Sequence, residues 1–211
     1  MVRGLEPGRR AALVISECQQ AQTMDELRGT RDDLARQIAD RGVLRAIGRM
    51  AGTFRRVGMP VVHGHIVPHQ DWVGFRVNCA LAGVLKRTNV VREGHRGAEP
   101  HPDLLPEPED LVVRRRTGFT MFHGTELDRL LHNLDVDTVV LTGVSLNVAL
   151  LGSAIEAANL GYQVVLPTDC AAGVGPAPAV LLQHIYPLLA TLTDSTAVIG
   201  ALEATELGQT A

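Results

Sequence analysis

The stretch Leu141-Thr-Gly-Val-Ser-Leu-Asn-Val-Ala149 decides the fold of this chain. An apolar strand runs through a short turn at Gly143–Asn147 and into a segment with helical spacing, Val148–Leu160. The N-terminal end of such a helix offers unpaired backbone N–H groups and the positive end of its dipole to a ligand at the turn. A thiol at position 149 would be activated there. Ala149 instead has an inert methyl group, so this turn is expected to bind a ligand rather than to supply a nucleophile.

Segments of strand length alternate with segments of helical period along the rest of the chain. The predicted strands are Ala11–Ser16, Pro60–His65, Asp110–Val113, Asp137–Thr142, Gln163–Pro167 and Ser195–Gly200. The predicted helices are Arg31–Val57, Thr125–Leu134, Val148–Leu160 and Ala177–Leu192. Continuous apolar strands between helices predict a three-layer α/β/α, Rossmann-like fold with a mostly parallel six-stranded sheet.

The predicted boundaries are a flexible N-terminus at residues 1–10, one domain over residues 11–200 and a C-terminal tail at residues 201–211. Thr88–Glu109, rich in Pro, Gly, His and charge, is the one long loop, and it is interpreted as a lid, a partner contact or a spacer.

Length, composition and net charge limit the kinds of molecule that this chain is expected to bind. The chain has 211 residues, of which 45% are hydrophobic, which is enough for a sizeable core without disulfides or metal. A net charge of −3 provides no electrostatic footprint for nucleic acid or an anionic membrane. No signal-type apolar segment follows the basic N-terminus, and no apolar run reaches membrane-spanning length. We therefore expect a cytoplasmic protein with a small-molecule ligand, whose three cysteines are buried small hydrophobic residues.

Ligands of parallel α/β sheets bind beyond the carboxyl ends of the strands. That rule selects residues after each of the first five strands: Glu17, Cys18 and Gln19; His63 and His65; Arg114–Arg116; Gly143–Asn147; and Thr168–Cys170. A carboxylate, a cationic cluster and a helix N-terminus thus meet in one crevice. No GxGxxG or Walker motif is found, so no cofactor is expected. His63, His65 and His69 lie close in sequence, but two-residue spacing on a strand does not make ligands converge, and no metal is expected.

Four motifs resemble those of the isochorismatase-like hydrolase superfamily, which includes nicotinamidases, N-carbamoylsarcosine amidase and isochorismatase. Ala12-Leu-Val-Ile-Ser-Glu-Cys-Gln19 is similar to the family's first strand, which ends in Asp-x-Gln. The segment 97–113 is similar to the approach to its third strand, and Phe122-His-Gly-Thr-Glu-Leu127 to the F-x-G-T-x-L that follows its lysine. Gly143–Ala149, continuing to Thr168-Asp169-Cys170, resembles the cysteine-bearing turn and helix. The resemblance spans about residues 11–200.

The family's catalytic set is an Asp, a Lys and a Cys, and the resemblance places Glu17, Arg116 and Ala149 at these positions. Counting back from Thr125 gives Arg116 for the lysine, whereas counting forward from Asp110 gives Arg115. The substrate-binding residues implied are Gln19, His65, Arg115, Phe119, Phe122, Ser145 and Asn147. Several of the catalytic and binding positions have a structural alternative: an ion pair for Glu17 with the arginine, a helix N-cap for Asn147, and core packing for the phenylalanines.

Two functions are open at this point. In the first, a hydrolase without a cysteine nucleophile acts on a small anionic metabolite. The resemblance offers a precedent, because isochorismatase lacks the cysteine and hydrolyses a vinyl ether through an acid carboxylate, a role that Glu17 would take here. In the second, the chain is a catalytically inactive pseudoenzyme that binds a small molecule or forms part of an oligomer. The resemblance also implies a homodimer or homotetramer.

Overall fold

A computed structural model describes residues 2–28 and 33–209, with side chains up to residue 204. Its centre is a six-stranded sheet in which every strand is parallel to its neighbours, in the order β3-β2-β1-β4-β5-β6. The strands are β1 (Ala11–Ser16), β2 (Val61–Ile66), β3 (Leu111–Arg115), β4 (Thr138–Gly143), β5 (Gln163–Pro167) and β6 (Thr191–Thr193). The predicted α/β class and sheet are confirmed.

Helices cover both faces of this sheet, as parallel strands require. They are α1 (Gln20–Thr23), α2 (Leu34–Asp40), α3 (Val43–Arg56), α4 (Ala80–Thr88), α5 (Leu127–Asn133), α6 (Ala149–Asn159), α7 (Ala177–His184), α8 (Tyr186–Leu189) and α9 (Ser195–Gln209). Short 3-10 turns lie at 25–27, 96–98, 102–104 and 168–170. None of the helices in the described residues is long and apolar enough to cross a membrane.

Side chains that alternate along β1 divide the core into two layers. Leu13 and Ile15 pack with α2, α3 and α9 on one face of the sheet. Ala12 and Val14 pack with α5, α6 and α8 on the other face. Because the strand is buried on both sides, its sequence is a continuous apolar run rather than an alternating one. β1 therefore fixes the centre of the sheet, and the residues that follow it lie at the centre of one edge.

The prediction of a last strand at Ser195–Gly200 is wrong. These residues begin α9, whose Val198 and Leu202 are buried against α3, and the sixth strand is Thr191–Thr193 instead. Asp169 fixes the start of this helix, because its carboxylate accepts hydrogen bonds from the Ser195 N–H at 2.8 Å and from the Ser195 hydroxyl at 2.5 Å. An apolar segment too short to show a clear period is ambiguous between strand and helix, and packing decided the outcome.

Two predicted helices are each divided. Ala177–Leu192 becomes α7, α8 and the start of β6. Arg31–Val57 becomes α2 and α3, separated at Gly42, whose φ of 63° lies in the left-handed region that ends helices. The first residues of that predicted helix, 31–32, lie outside the described residues. The Gly161 C′ position after α6 is confirmed by its φ of 93°.

The described parts of both chain ends pack against the rest of the chain. In the N-terminus predicted at residues 1–10, Val2 and Leu5 are buried members of the core. The tail predicted at residues 201–211 is helical as far as Gln209, and residues 210–211 lie outside the described part. The predicted long loop Thr88–Glu109 contains two 3-10 turns, and it directly follows α4, a helix that the sequence analysis did not identify.

Gly143 allows β1 and β4 to end side by side. Ser16 is its register partner across the two strands, and Gly143 has a φ of 101°. A Cβ at this position would lie 2.1 Å from the Ser16 carbonyl oxygen. Only glycine fits both the backbone angle and the space. The residues after the two strands, Glu17 on one side and Ser145 on the other, are consequently held at the same edge.

Candidate functional site

Glu17 and Arg115 form a buried ion pair at the carboxyl edge of the sheet. Glu17 follows β1 with a φ of 52°, an angle that few non-glycine residues adopt, and its Oε1 accepts from Arg115 Nη2. The Arg115 side chain is 2% exposed and that of Glu17 is 14% exposed. Arg115 Nη1 also donates to the Thr120 carbonyl at 3.1 Å. The pair therefore joins the end of β1 to the end of β3.

Arg116, which the sequence analysis placed at the lysine position, lies elsewhere. Its guanidinium donates to the Val67 carbonyl and to Glu93 Oε1, both at 3.0 Å, and a third of the side chain is exposed. Consecutive side chains on a strand point to opposite faces, so Arg115 and Arg116 cannot both reach Glu17. Arg115, the residue given by counting forward from Asp110, is the one that meets the Glu17 carboxylate.

A pocket of about 310 Å³ opens beside this pair. Phe119, Ser145 and Ala149, which the sequence analysis selected, line it together with Glu17 and Arg115. Four residues of α4 also line it: Leu81, Val84, Leu85 and Thr88. The pocket is thus mostly apolar, with the Glu17–Arg115 pair among its lining residues.

Ala149 is the first residue of α6 and is 3% exposed. The N–H groups of Val148 and Leu150 both donate to the Ser145 carbonyl, at 3.3 and 3.0 Å. In the part of the chain that the structure describes, the Ala149 N–H has no backbone acceptor. An unpaired N–H at the start of an eleven-residue helix favours a ligand atom with negative charge.

Four predicted binding residues do not line this pocket. The Gln19 amide is fully buried and bonds the backbone of Ile66 and Ala98, so it ties loops together. Phe122 lies in the core beside the Tyr162 ring. The other two are His65, which faces a separate cavity, and Asn147.

Asn147 is not the N-cap of α6 either. The cap position is occupied by Val148, and no side chain caps the helix. The Asn147 amide instead pairs with the backbone of Val174, donating at 2.9 Å and accepting at 2.7 Å. It therefore holds the 171–176 loop against the turn that precedes α6.

Neither buried cysteine offers an alternative nucleophile. Burial raises the pKa of Cys18 to about 12, with a further contribution from the neighbouring Glu17 carboxylate. The pKa of Cys170 is also raised, first by burial and then by Asp169. A thiol attacks as its thiolate, which these positions disfavour. Among the described residues, no group of three or more His, Cys, Asp or Glu side chains is placed to hold a metal ion.

The expectation that all three cysteines are buried is wrong for one of them. Cys79 is exposed, whereas Cys18 and Cys170 are buried as expected. Cys79 immediately precedes α4, a helix of which only Ala82 is buried, in a small cluster with Trp72 and Phe75.

Sequence reasoning missed the polar residues on the α1 side of the pocket. Gln22 and Arg28 line it, and Arg28 Nη1 donates to the Gln22 carbonyl at 3.0 Å. The Gln22 Oε1 is buried, with no hydrogen-bond partner in the described residues. It also missed α4, although apolar residues at Leu81, Val84 and Leu85 repeat at helical spacing and were a usable signal.

Comparison with known proteins gives matches over most of the chain. The family model described as the isochorismatase domain matches residues 11–196. An uncharacterized isochorismatase family protein of Escherichia coli O157:H7, YecD, is 28% identical over 78% of this chain and 85% of its own length. Maleamate amidohydrolase of Pseudomonas putida is 31% identical over 61% of each chain.

Solved structures share the fold. A cysteine hydrolase from Pseudomonas syringae pv. phaseolicola superposes with a TM-score of 0.81 at 19% identity, covering 97% of this chain and 98% of that one. An isochorismatase family protein from Desulfovibrio vulgaris superposes with a TM-score of 0.78 at 23% identity, covering 93% and 100%. The predicted three-layer architecture is therefore one that solved proteins adopt over their whole length.

Proposed function

The chain belongs to the isochorismatase family, and from that premise we propose that its pocket binds a small carboxylate-bearing metabolite without cysteine-dependent hydrolysis. The observation that carries the proposal is the meeting of Glu17, Arg115 and Ala149 in one pocket. The charges that the resemblance leads us to expect are retained there, whereas the nucleophile is not.

The chemistry of these three residues argues against an acyl-enzyme. Ala149 has no atom that can attack a carbonyl carbon. Arg115 keeps a positive charge, but a guanidinium does not exchange protons near neutral pH. The pair with Glu17 therefore cannot relay a proton between two partners as a carboxylate and an amine can. The Glu17–Arg115 pair can instead hold one negative and one positive charge at a defined point of the pocket.

The lining favours an anion with an apolar body. The Arg115 guanidinium lines the pocket beside the Glu17 carboxylate. The unpaired Ala149 N–H adds a donor at the same end as Arg115. The apolar side chains that line the pocket, among them Leu85 and Phe119, would surround the rest of the ligand.

The test is a thermal-shift and calorimetric screen of short aliphatic and aromatic carboxylates against their neutral amides. We expect carboxylates to raise the melting temperature in a saturable way and the amides to do so less. Ala149→Phe should abolish the effect by filling the pocket. Ala158→Phe is the matched control, since Ala158 is exposed on the same helix. Carboxylates that stabilise all three proteins equally, or none, contradict the proposal.

A second candidate function rests on Glu17 itself. Only its Oε1 meets Arg115, and among the described residues no donor is within hydrogen-bond distance of its Oε2. A carboxylic acid group that faces a pocket can deliver its proton to the terminal vinyl carbon of an enol ether, as acid-catalysed hydrolysis of a vinyl ether requires. Water would then add to the resulting oxocarbenium carbon and lose a proton, and the hemiketal formed would release the alcohol and leave the carbonyl product.

Turnover of an enol-ether carboxylate distinguishes the two candidates. If Glu17 is a general acid, product forms and Glu17→Gln loses at least about a hundredfold of the rate, because the amide has the same shape but no acidic proton. If the chain only binds, no product forms above the buffer rate while the carboxylate still raises the melting temperature.

A further inference from the structure

His65 faces a second cavity, of about 230 Å³, on the other side of the β2–β3 edge. Its register partner on β3 is Arg114, so the two side chains project next to each other from the same face of the sheet. Residues 93–94, 98–100 and 106 form the remaining wall. The predicted loop Thr88–Glu109, interpreted from the sequence as a lid, a partner contact or a spacer, thus forms part of the wall of a separate cavity.

His65 is the buried polar group of this cavity. It is 6% exposed, and no described residue forms a hydrogen bond or an ion pair with its ring. The nearest ring is that of His63, 6.2 Å away, and His63 is itself bonded to Asp110. Burial, then the neighbouring His63 and Arg114, lower the pKa of His65 to about 4. At neutral pH it offers one donor and one acceptor, both without a protein partner.

Two charges of opposite sign stand at the mouth. Arg114 and Glu99 both line the cavity and are exposed, but neither forms an ion pair in the described residues. Glu93 also lines it, although its carboxylate is engaged by Arg116 at 3.0 Å and by His69 at 3.8 Å. One cation and one anion without an ion-pair partner therefore line the same cavity, together with the apolar side chains of Val67 and Val112.

We propose that this cavity binds a small zwitterion of the α-amino-acid class, separately from the pocket beside Ala149. The ligand carboxylate pairs with the Arg114 guanidinium, and its ammonium group pairs with the Glu99 carboxylate. The His65 imidazole takes the remaining hydrogen bond, and an aliphatic side chain lies against Val67 and Val112. A ligand with both charges gains both pairs, whereas a ligand with one charge leaves the opposite group facing it unpaired.

The experiment follows the ¹H–¹⁵N signals of the histidine rings in the full chain during titration with L-valine. His65→Gln assigns the His65 signals. The comparison ligands are 3-methylbutanoate, which lacks the ammonium group, and isobutylamine, which lacks the carboxylate. We expect L-valine to shift the His65 signals with saturation, and each comparison ligand to bind at least about tenfold more weakly, the equivalent of one hydrogen bond to a charged group.

Variants at the mouth then test the assignment. Arg114→Gln and Glu99→Gln should each weaken L-valine binding about tenfold or more, while Arg87→Gln and Glu109→Gln, exposed residues outside this cavity, should leave it unchanged. All four residues are at the surface, so the folded state is retained. Ala149→Phe should also have no effect. The proposal is overturned if His65 does not respond to L-valine, if the singly charged ligands bind equally well, or if Ala149→Phe abolishes the response.

Discussion

Ala149 has a methyl group where the family resemblance implies a thiol, and Glu17 and Arg115 also differ from the implied Asp and Lys. We expect Ala149→Cys to yield no efficient amidase on nicotinamide or N-carbamoyl substrates. The new thiol would have a carboxylate and an arginine nearby, and the arginine cannot accept its proton. The measurements are turnover at high enzyme concentration and the pH dependence of alkylation by iodoacetamide. Ala158→Cys is the control for an ordinary thiol on the same helix.

Rapid turnover by Ala149→Cys would show that Glu17 and Arg115 substitute adequately for an acid and an amine. A lower pH midpoint of alkylation for Ala149→Cys than for Ala158→Cys would show that the helix N-terminus activates the thiol, and absent turnover would then place the defect at Glu17 and Arg115.

The adjacent arginines should differ sharply in their effect on stability. Arg115→Ala leaves the buried Glu17 carboxylate without a partner, which typically costs about 3–5 kcal/mol. Arg116→Ala removes a partly exposed pair with Glu93, which is typically worth about 0–1 kcal/mol. Urea unfolding of both variants and the parent measures the difference. Equal losses would mean that the Glu17–Arg115 pair does not hold β1 and β3 together.

Sequence alone could select Glu17, Ala149 and the arginine cluster, because strand ends and motif order locate them. It could not choose between Arg115 and Arg116, since a shift of one residue moves a side chain to the other face of the strand. The sequence also could not show that His65 and Glu17 line different cavities. The two residues lie at the ends of neighbouring strands, but alternate side chains on β2 face opposite sides of the sheet, and only the packed loop at residues 93–106 creates the second cavity.

At the scale of the element, the end of β4 depends on Gly143. Gly143→Ala should destabilise the protein by several kcal/mol, roughly the sum of a strained positive φ and a backbone clash with Ser16. Gly52→Ala is the control, because Gly52 lies exposed in α3 with no atom near a new Cβ. That change should be neutral or stabilise by up to about 1 kcal/mol. Thermal and urea unfolding measure both, and equal effects would contradict this role for Gly143.

Strongly apolar strands and long periodic helices were predictable element by element, as β1, β4 and β5 show. The weakly patterned elements were not. Ser195–Gly200 has the length and composition of a strand, but the Asp194 side chain caps it as a helix by accepting from the Ala197 N–H, Asp169 accepts from Ser195, and Val198 packs on α3. α4 was missed because only one of its residues, Ala82, is buried, and the cluster in which it packs is small.

At the scale of the whole molecule, stability should fall with acid. The pKa of His65 is lowered to about 4, first by burial. Burial also lowers the pKa of His63, although Asp110 opposes it. Burial alone would raise the pKa of Asp110, but hydrogen bonds from Arg55 and from the Glu107 N–H outweigh it and lower the value. All three groups bind more protons when unfolded, so folding is favoured above about pH 6.5 and loses that contribution as pH falls towards 4 and below.

His65 alone should account for roughly 1 to 2 kcal/mol between pH 6.5 and pH 5, the free energy that corresponds to its lowered pKa over that interval. Urea unfolding at the two pH values measures it. His65→Gln, which cannot titrate, should reduce the difference by about that amount. An unchanged difference in the variant would mean that His65 is not held neutral in the folded protein.

Length, composition and motif order were enough to predict the single sheet and its class, because these depend on patterns repeated over the whole chain. The expected homodimer or homotetramer stays a prediction, and light scattering of the purified protein at several concentrations measures it.

The buried positions of Val2 and Leu5 at one end, and of Val198 and Leu202 at the other, have a practical consequence. The family match covers residues 11–196, so it stops short of four side chains that fill the core. A recombinant fragment cut to that match would also leave the Thr138 hydroxyl without the Gly4 carbonyl to which it donates at 2.7 Å. Such a fragment should expose apolar surface, aggregate on expression and be cleaved quickly by proteases. Affinity tags are therefore better joined through a spacer that leaves Val2 in place.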